Sequence, residues 1–158
     1  ESGTSKGSFY HYFDGKDALL GSLSYLFDEK YEELESQLSC CHTCFNKLIF
    51  LNQELFAMIE NSIALELLAY LLSTQLVTKG EKHLLDRNRF YYKLLRKIFL
   101  EGQECGEFRT DLSVNELVKL YAVSERALLY DWCICNGEYS LKSYAATTMP
   151  CFLSRILA

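Results

Sequence analysis

The sequence predicts an all-α fold. Apolar residues recur three and four apart through most of the 158 residues, no stretch alternates apolar and polar residues as a strand would, and the chain holds a single proline, Pro150. Hydrophobic residues make up 49% of the chain, enough at this length to bury a sizeable core. No apolar run approaches the roughly eighteen residues of a membrane span, and no secretory leader is visible. These observations predict one soluble helical body.

The first element is short. Thr4 or Ser5 caps a helix in which Phe9 and Phe13 share one face, while Ser5, Lys6, Ser8, Tyr10, His11 and Tyr12 cover the rest. One face anchors; the other is free for contact. Asp14 suits the N-cap of the next helix and Asp17 its first turn, which places Lys16 beside the exposed end of the short helix. Over residues 16–38, Leu19, Leu20, Leu23, Leu26, Phe27, Tyr31, Leu34 and Leu38 recur at helical spacing with charged residues between them, predicting a long amphipathic connector. Further helices are predicted over residues 44–60, 64–78 and 81–104, the last burying Leu84, Leu85, Tyr91, Leu94, Leu95, Ile98 and Phe99. Gly106 is a C-cap glycine, and Ser113 with Glu116 forms a capping box that starts the next helix. Its apolar stripe is Val114, Leu117, Val118, Tyr121, Leu128, Leu129 and Trp132. After Asn136 and Gly137, a last stripe runs through Leu141, Tyr144, Ala145, Met149, Phe152, Leu153, Ile156 and Leu157, where Pro150 is expected to bend or locally open the helix.

Gly3, Ser5, Gly7, Ser8, Phe9, Tyr10, Tyr12, Phe13, Lys16, Leu19 and Leu20 match the pattern G-x-S-x-G-[ST]-[FL]-Y-x-[HY]-F followed by x-x-K-x-x-L-[LI]. On these residues the N-terminal segment resembles the end of the helix-turn-helix domain of the TetR family of bacterial transcriptional regulators. Residues 101–112 resemble the E-G-x-x-x-G-E-[FL]-R-x-D loop of many TetR-like chains and are expected to be structural. The resemblance implies a TetR-like helical regulator in which residues 1–16 are the C-terminal part of an incomplete helix-turn-helix domain and residues 17–158 a helical ligand-binding and dimerisation domain. The helices that would support the reader across the DNA backbone are expected before residue 1. A net charge of -5 is wrong for a whole phosphate-binding surface, so the basic residues are expected on that missing arm.

What the resemblance implies for function is a homodimeric, cytoplasmic, ligand-responsive regulator, most often a repressor. Two readers would occupy successive major grooves of a double-stranded operator, and a small-molecule effector would favour another spacing. Lys6 and Lys16 are candidates for phosphates, Tyr10 and Tyr12 for backbone oxygens, and Ser5, Ser8 and His11 for phosphates or base edges. Packing against the missing helices is the alternative for Tyr10 and Tyr12. Phe56, Met58, Tyr70, Tyr91, Phe99 and Tyr121, with Phe90 and Tyr92, offer walls for a mainly apolar effector of unknown identity. Leu128, Trp132, Leu141, Tyr144, Met149, Phe152, Leu153 and Ile156 are the candidate dimer interface, two helices from each subunit making a four-helix bundle. The competing reading is a dimerisation or protein-interaction module without effector, which a well-filled core would favour over an internal cavity with converging polar groups.

Seven cysteines, notably Cys40, Cys41 and Cys44 around His42 and the pair Cys133 and Cys135, raise a third reading, a metal or redox sensor. The spacing lacks the second C-x-x-C pair of a structural zinc site, so no metal and no cofactor are expected. No enzymatic constellation emerges either: His11, His42 and His83 belong to no nucleophile or phosphate-loop pattern, and Glu32, Glu33 and Glu35 form a solvated helix face.

Overall fold

A computed structural model describes residues 16–80 and 82–158. The protein is all-α, with helices α1 (Lys16–Glu35), α2 (Cys44–Ser62), α3 (Leu65–Val77), α4 (Phe90–Glu104), α5 (Val114–Ile134) and α6 (Leu141–Leu153). Single 3-10 turns follow at Leu38–Cys40, His83–Leu85 and Ser154–Ile156. Among the described residues the only β feature is an isolated antiparallel bridge between Phe108 and Leu157.

Helix α2 is the hub. Leu48, Leu51, Asn52, Leu55, Phe56 and Ile59 are all buried, a face wide enough to pack against α6, α4 and α1 at once. Its N-terminus is fully capped: the Thr43 hydroxyl accepts the Asn46 N–H, and the two carboxylate oxygens of Glu107 accept the N–H groups of Cys44 and Phe45, each at 2.8 Å. Those are the donors a helix start leaves orphaned, and a carboxylate there also meets the positive end of the helix dipole.

Glu107 comes from the loop after α4, whose glycines explain its shape. Gly106 closes the helix at φ +78°, in the left-handed region, and Glu107 and Phe108 donate back to the Gly102 carbonyl at 2.8 and 3.0 Å. The Phe108 ring lies against Gly102, where a Cβ would sit 2.2 Å from Cδ2 of that ring. Gln103 donates to the carbonyls of Arg109 and Leu112, and the chain end pairs with the loop through Arg109 N–H to the Ile156 carbonyl. The capping box is present as expected, with Ser113 accepting from Glu116 N–H and the Glu116 carboxylate accepting from Ser113 N–H at 2.7 Å.

Three expectations are corrected. The helix expected over residues 81–104 begins only at Phe90, because the Asp86 carboxylate accepts the Asn88 N–H at 2.9 Å and turns the chain out of the helical path. Of the bend or opening expected at Pro150, the opening is absent: α6 runs on to Leu153, and Ala146, whose carbonyl loses its N–H partner, is exposed to water. The third concerns the dimer face. Leu128, Trp132, Leu141, Met149, Leu153 and Ile156 fill the protomer's own core, since the row 141, 145, 149, 153 turns toward α2 and α5. Only Tyr144 and Phe152 of that set face outward, at 48% and 45% exposure, and the outer side of α5 presents Leu120, Val123 and Ile134.

Gly102→Ala is expected to force Phe108 out of its seat and lower stability by about 1–3 kcal/mol. Urea unfolding checks this, and an unchanged midpoint would refute the constraint.

Candidate effector cavity

Helices α1 to α5 leave between them a narrow, partly open cavity of about 50 Å³, walled by Phe27, Tyr31, Leu55, Ile59, Leu68, Leu71, Leu72, Leu84, Tyr91, Ala122 and Leu129, with Arg89, Glu125 and Arg126 as its charged groups. The walls are nearly all hydrocarbon, and the space admits a few waters or a slim apolar group.

Glu125 is 3% exposed, on the inward face of α5. Its carboxylate accepts the Tyr91 hydroxyl at 2.6 Å and the Asn52 side-chain amide at 2.8 Å, so α5, α4 and α2 meet on one group. Burial pushes its pKa up to about 7, and the hydrogen bonds from Tyr91 and Asn52 restrain the rise. The same burial raises the phenols of Tyr31, Tyr91 and Tyr121 well above their usual range, the Glu125 charge adding to it. Two polar atoms beside this knot are unsatisfied, the Tyr31 hydroxyl in the cavity wall and Asn52 Oδ1.

Arg89 precedes α4 and reaches α1. Its guanidinium donates to both Asp28 oxygens at 3.0 and 3.1 Å, with Asp28 Oδ1 also accepting the Tyr91 N–H at 3.4 Å. Because Arg89 also lines the cavity, the space and the connector helix share a side chain.

Of the residues expected in the pocket, Tyr91 alone lines this cavity. Phe56, Phe99 and Tyr121 are 0% exposed in the packed core, Tyr121 donating to the Leu48 carbonyl at 2.9 Å. Met58 packs on the core's edge, and Tyr70, whose buried hydroxyl has no partner, lies outside the cavity wall. Phe90 is half-buried beside the core, and Tyr92 faces a neighbouring cleft. Glu125, Arg89 and Tyr31 were missed. Glu125 had a signal: it sits in the apolar stripe, four after Tyr121 and three before Leu128, where a carboxylate has no business unless it is used.

The DNA-contact candidates Ser5, Lys6, Ser8, Tyr10, His11 and Tyr12 lie outside the described residues; Lys16 is described only as the start of α1. The cysteines group differently from their spacing. Cys44 Sγ, Cys105 Sγ and a Glu107 carboxylate oxygen lie within 4.8 Å of one another, but both Glu107 oxygens already cap α2 and burial raises the Cys44 thiol to about 12. The described cysteines are all free thiols.

Residues 1–23 match the family model described as bacterial regulatory proteins, tetR family. No curated protein and no solved structure matches the chain. Among the described residues no single helix is long and apolar enough to cross a membrane.

The raised pKa of Glu125 makes stability pH-dependent with a definite sign. The folded state holds this proton more tightly than the unfolded chain, so the contribution is complete below about 4.5 and lost as pH rises through about 7. Between pH 5 and 7 stability to urea is expected to fall, by roughly 3 kcal/mol at most. Glu125→Gln should flatten that slope, and a wild-type profile already flat there would refute the assignment.

Proposed function

We propose that the chain, whose residues 1–23 match the model of the tetR family of bacterial regulatory proteins, is a homodimeric transcriptional repressor released from its operator by a small-molecule effector. The observation that carries the effector is the cavity beside Glu125, with polar groups converging on an apolar space; a dimerisation module without effector would have no use for it. Arg89 supplies the route outward. A ligand that draws its guanidinium from Asp28 loosens α1, the helix that continues from the family-matching residues, and so shifts the population toward a spacing of readers that misses successive major grooves.

In this reading Ser5, Lys6, Ser8, Tyr10, His11, Tyr12 and Lys16 meet the operator. The two-fold contact uses the outer faces of the last two helices, with Leu120, Val123 and Ile134 on α5 and Tyr144 and Phe152 on α6, in place of the residues spent on the core. The protein works in the cytoplasm, where the operator is. We read it as a binding protein and not an enzyme: Tyr91 and Glu125 are tied to one another, and the cavity lining includes no cysteine, serine or histidine nucleophile.

The decisive experiment is an operator titration at several salt concentrations, using a chain that carries a complete helix-turn-helix domain. Lys16→Ala is expected to weaken binding to all sequences alike and to make the salt slope shallower by about one unit. Absence of specific binding to any selected duplex would sink the regulator reading.

The dimer is tested separately. Phe152→Glu is expected to convert dimer to monomer in sedimentation at micromolar concentration, because it places an unpaired charge in the contact. A monomeric wild type would refute the interface.

A further inference from the structure

Arg126 and Ala122 wall two spaces. One is the cavity; the other is a cleft of about 360 Å³ between α4, α5 and the loop after the His83–Leu85 turn. Arg87, Arg96, Lys119 and Arg126 line this cleft together with Tyr92 and Asn115, and no carboxylate lines it. That is an odd grouping on a chain whose net charge is -5.

Elsewhere among the described residues Lys79, Lys93, Lys142 and Arg155 also lack an ion-pair partner but are scattered along the sequence, whereas Lys30, Lys47, Arg89, Lys97 and Arg109 each meet a carboxylate. Among the described residues none of the cleft's four cations does. Arg126 donates only to the Tyr92 hydroxyl, at 3.3 Å, and Arg96 to the Arg87 carbonyl at 3.0 Å. Like charges gathered without counter-charge repel one another, and a bound anion relieves that repulsion. Guanidinium groups suit the task, since their planar donors match carboxylate and phosphate oxygens in pairs.

We propose that cleft and cavity form one two-part site for an amphipathic anion, its carboxylate or phosphate head held by Arg87, Arg96, Lys119 and Arg126 and its apolar tail inside the cavity past Arg126. The proposal rests on the reading of the cavity as the effector site. The orientation follows from the charges. An anionic head at the inner end would face the Glu125 carboxylate, whereas the outer cleft offers cations alone. The tail is slim, because the cavity of about 50 Å³ holds little without widening, and a chain or single ring enters with the least displacement.

The test is calorimetric titration of the chain with octanoate, octyl phosphate, octanol, octyltrimethylammonium, butyrate and inorganic phosphate. Octanoate or octyl phosphate is expected to bind at least tenfold more tightly than octanol, and whichever binds better identifies the head. Octanoate should also exceed butyrate, which tests the tail. Arg96 and Lys119 line the cleft and not the cavity, so the double variant Arg96→Gln, Lys119→Gln should keep its melting midpoint and its octanol affinity while losing at least tenfold for the anions. Octanol binding as tightly as the anions, or anion affinity unchanged in the double variant, would overturn the anionic head. Inorganic phosphate binding as tightly as octyl phosphate would overturn the tail. Octyltrimethylammonium binding tightest would assign the polar contact to Glu125 instead, ending this proposal but leaving the cavity as effector site. Failure of every apolar probe would end both.

Discussion

The buried carboxyl of Glu125 is the constraint around which the helices are arranged. Taking a carboxylate out of water costs several kcal/mol, and that cost is offset only where donors are fixed around it. Here Tyr91 and Asn52 supply them from α4 and α2, while Glu125 itself is on α5. Three helices must therefore keep their mutual spacing or leave a charge unpaired in hydrocarbon. A leucine here alone would strand the Tyr91 hydroxyl and the Asn52 amide; only replacing all three groups by hydrocarbon would free the core of that cost. The same knot leaves Asn52 Oδ1 and, in the cavity wall, the Tyr31 hydroxyl without partners, so the polar arrangement is incomplete as it stands. Unsatisfied groups around an apolar space are what a ligand with a few polar atoms completes.

Most of the fold was legible because helix periodicity, caps and breakers are local. The stripe of Leu23, Phe27, Tyr31 and Leu34, the box of Ser113 and Glu116, and the left-handed Gly106 are each contained within a few residues. Where local signals conflicted, the shorter-range one won: Leu84 and Leu85 continue the helical period, but the Asp86 side chain captures a backbone N–H first and delays α4 to Phe90. Periodicity also says that a face is buried without saying against what. The apolar row of α6 could serve a partner or the protomer's own core, and contacts with α2 and α5 decide for the core.

The site was far less legible, for a physical reason. Large aromatic residues attract attention as ligand walls, yet their size makes them the best core fillers, and Phe56, Phe99 and Tyr121 are packed solid. Space remains instead where aliphatic side chains from different helices fail to interdigitate, at Leu55, Ile59, Leu68 and Leu71. The ion pair of Asp28 and Arg89 joins residues 61 apart in sequence, and nothing in either neighbourhood announces the other. Glu125 was the exception, visible as a carboxylate inside an apolar stripe.

Position rather than strength makes Arg89 and Arg126 consequential. Arg89 ties the cavity to α1 through Asp28, and Arg126 ties it to the cleft on α5, so the space is flanked by one cation committed to a carboxylate and one that is not. An occupant can shift an equilibrium only by its difference in affinity for the two states. Any ligand chemistry that contacts the wall leucines alone gains similarly in both and moves little. In the proposed function a ligand that competes for Arg89 interacts differently once α1 loosens, and by linkage whatever holds α1 in place must weaken that ligand by the same factor. In that reading the coupling resides in Arg89 and Asp28, while the hydrocarbon walls set only how much of a ligand can enter.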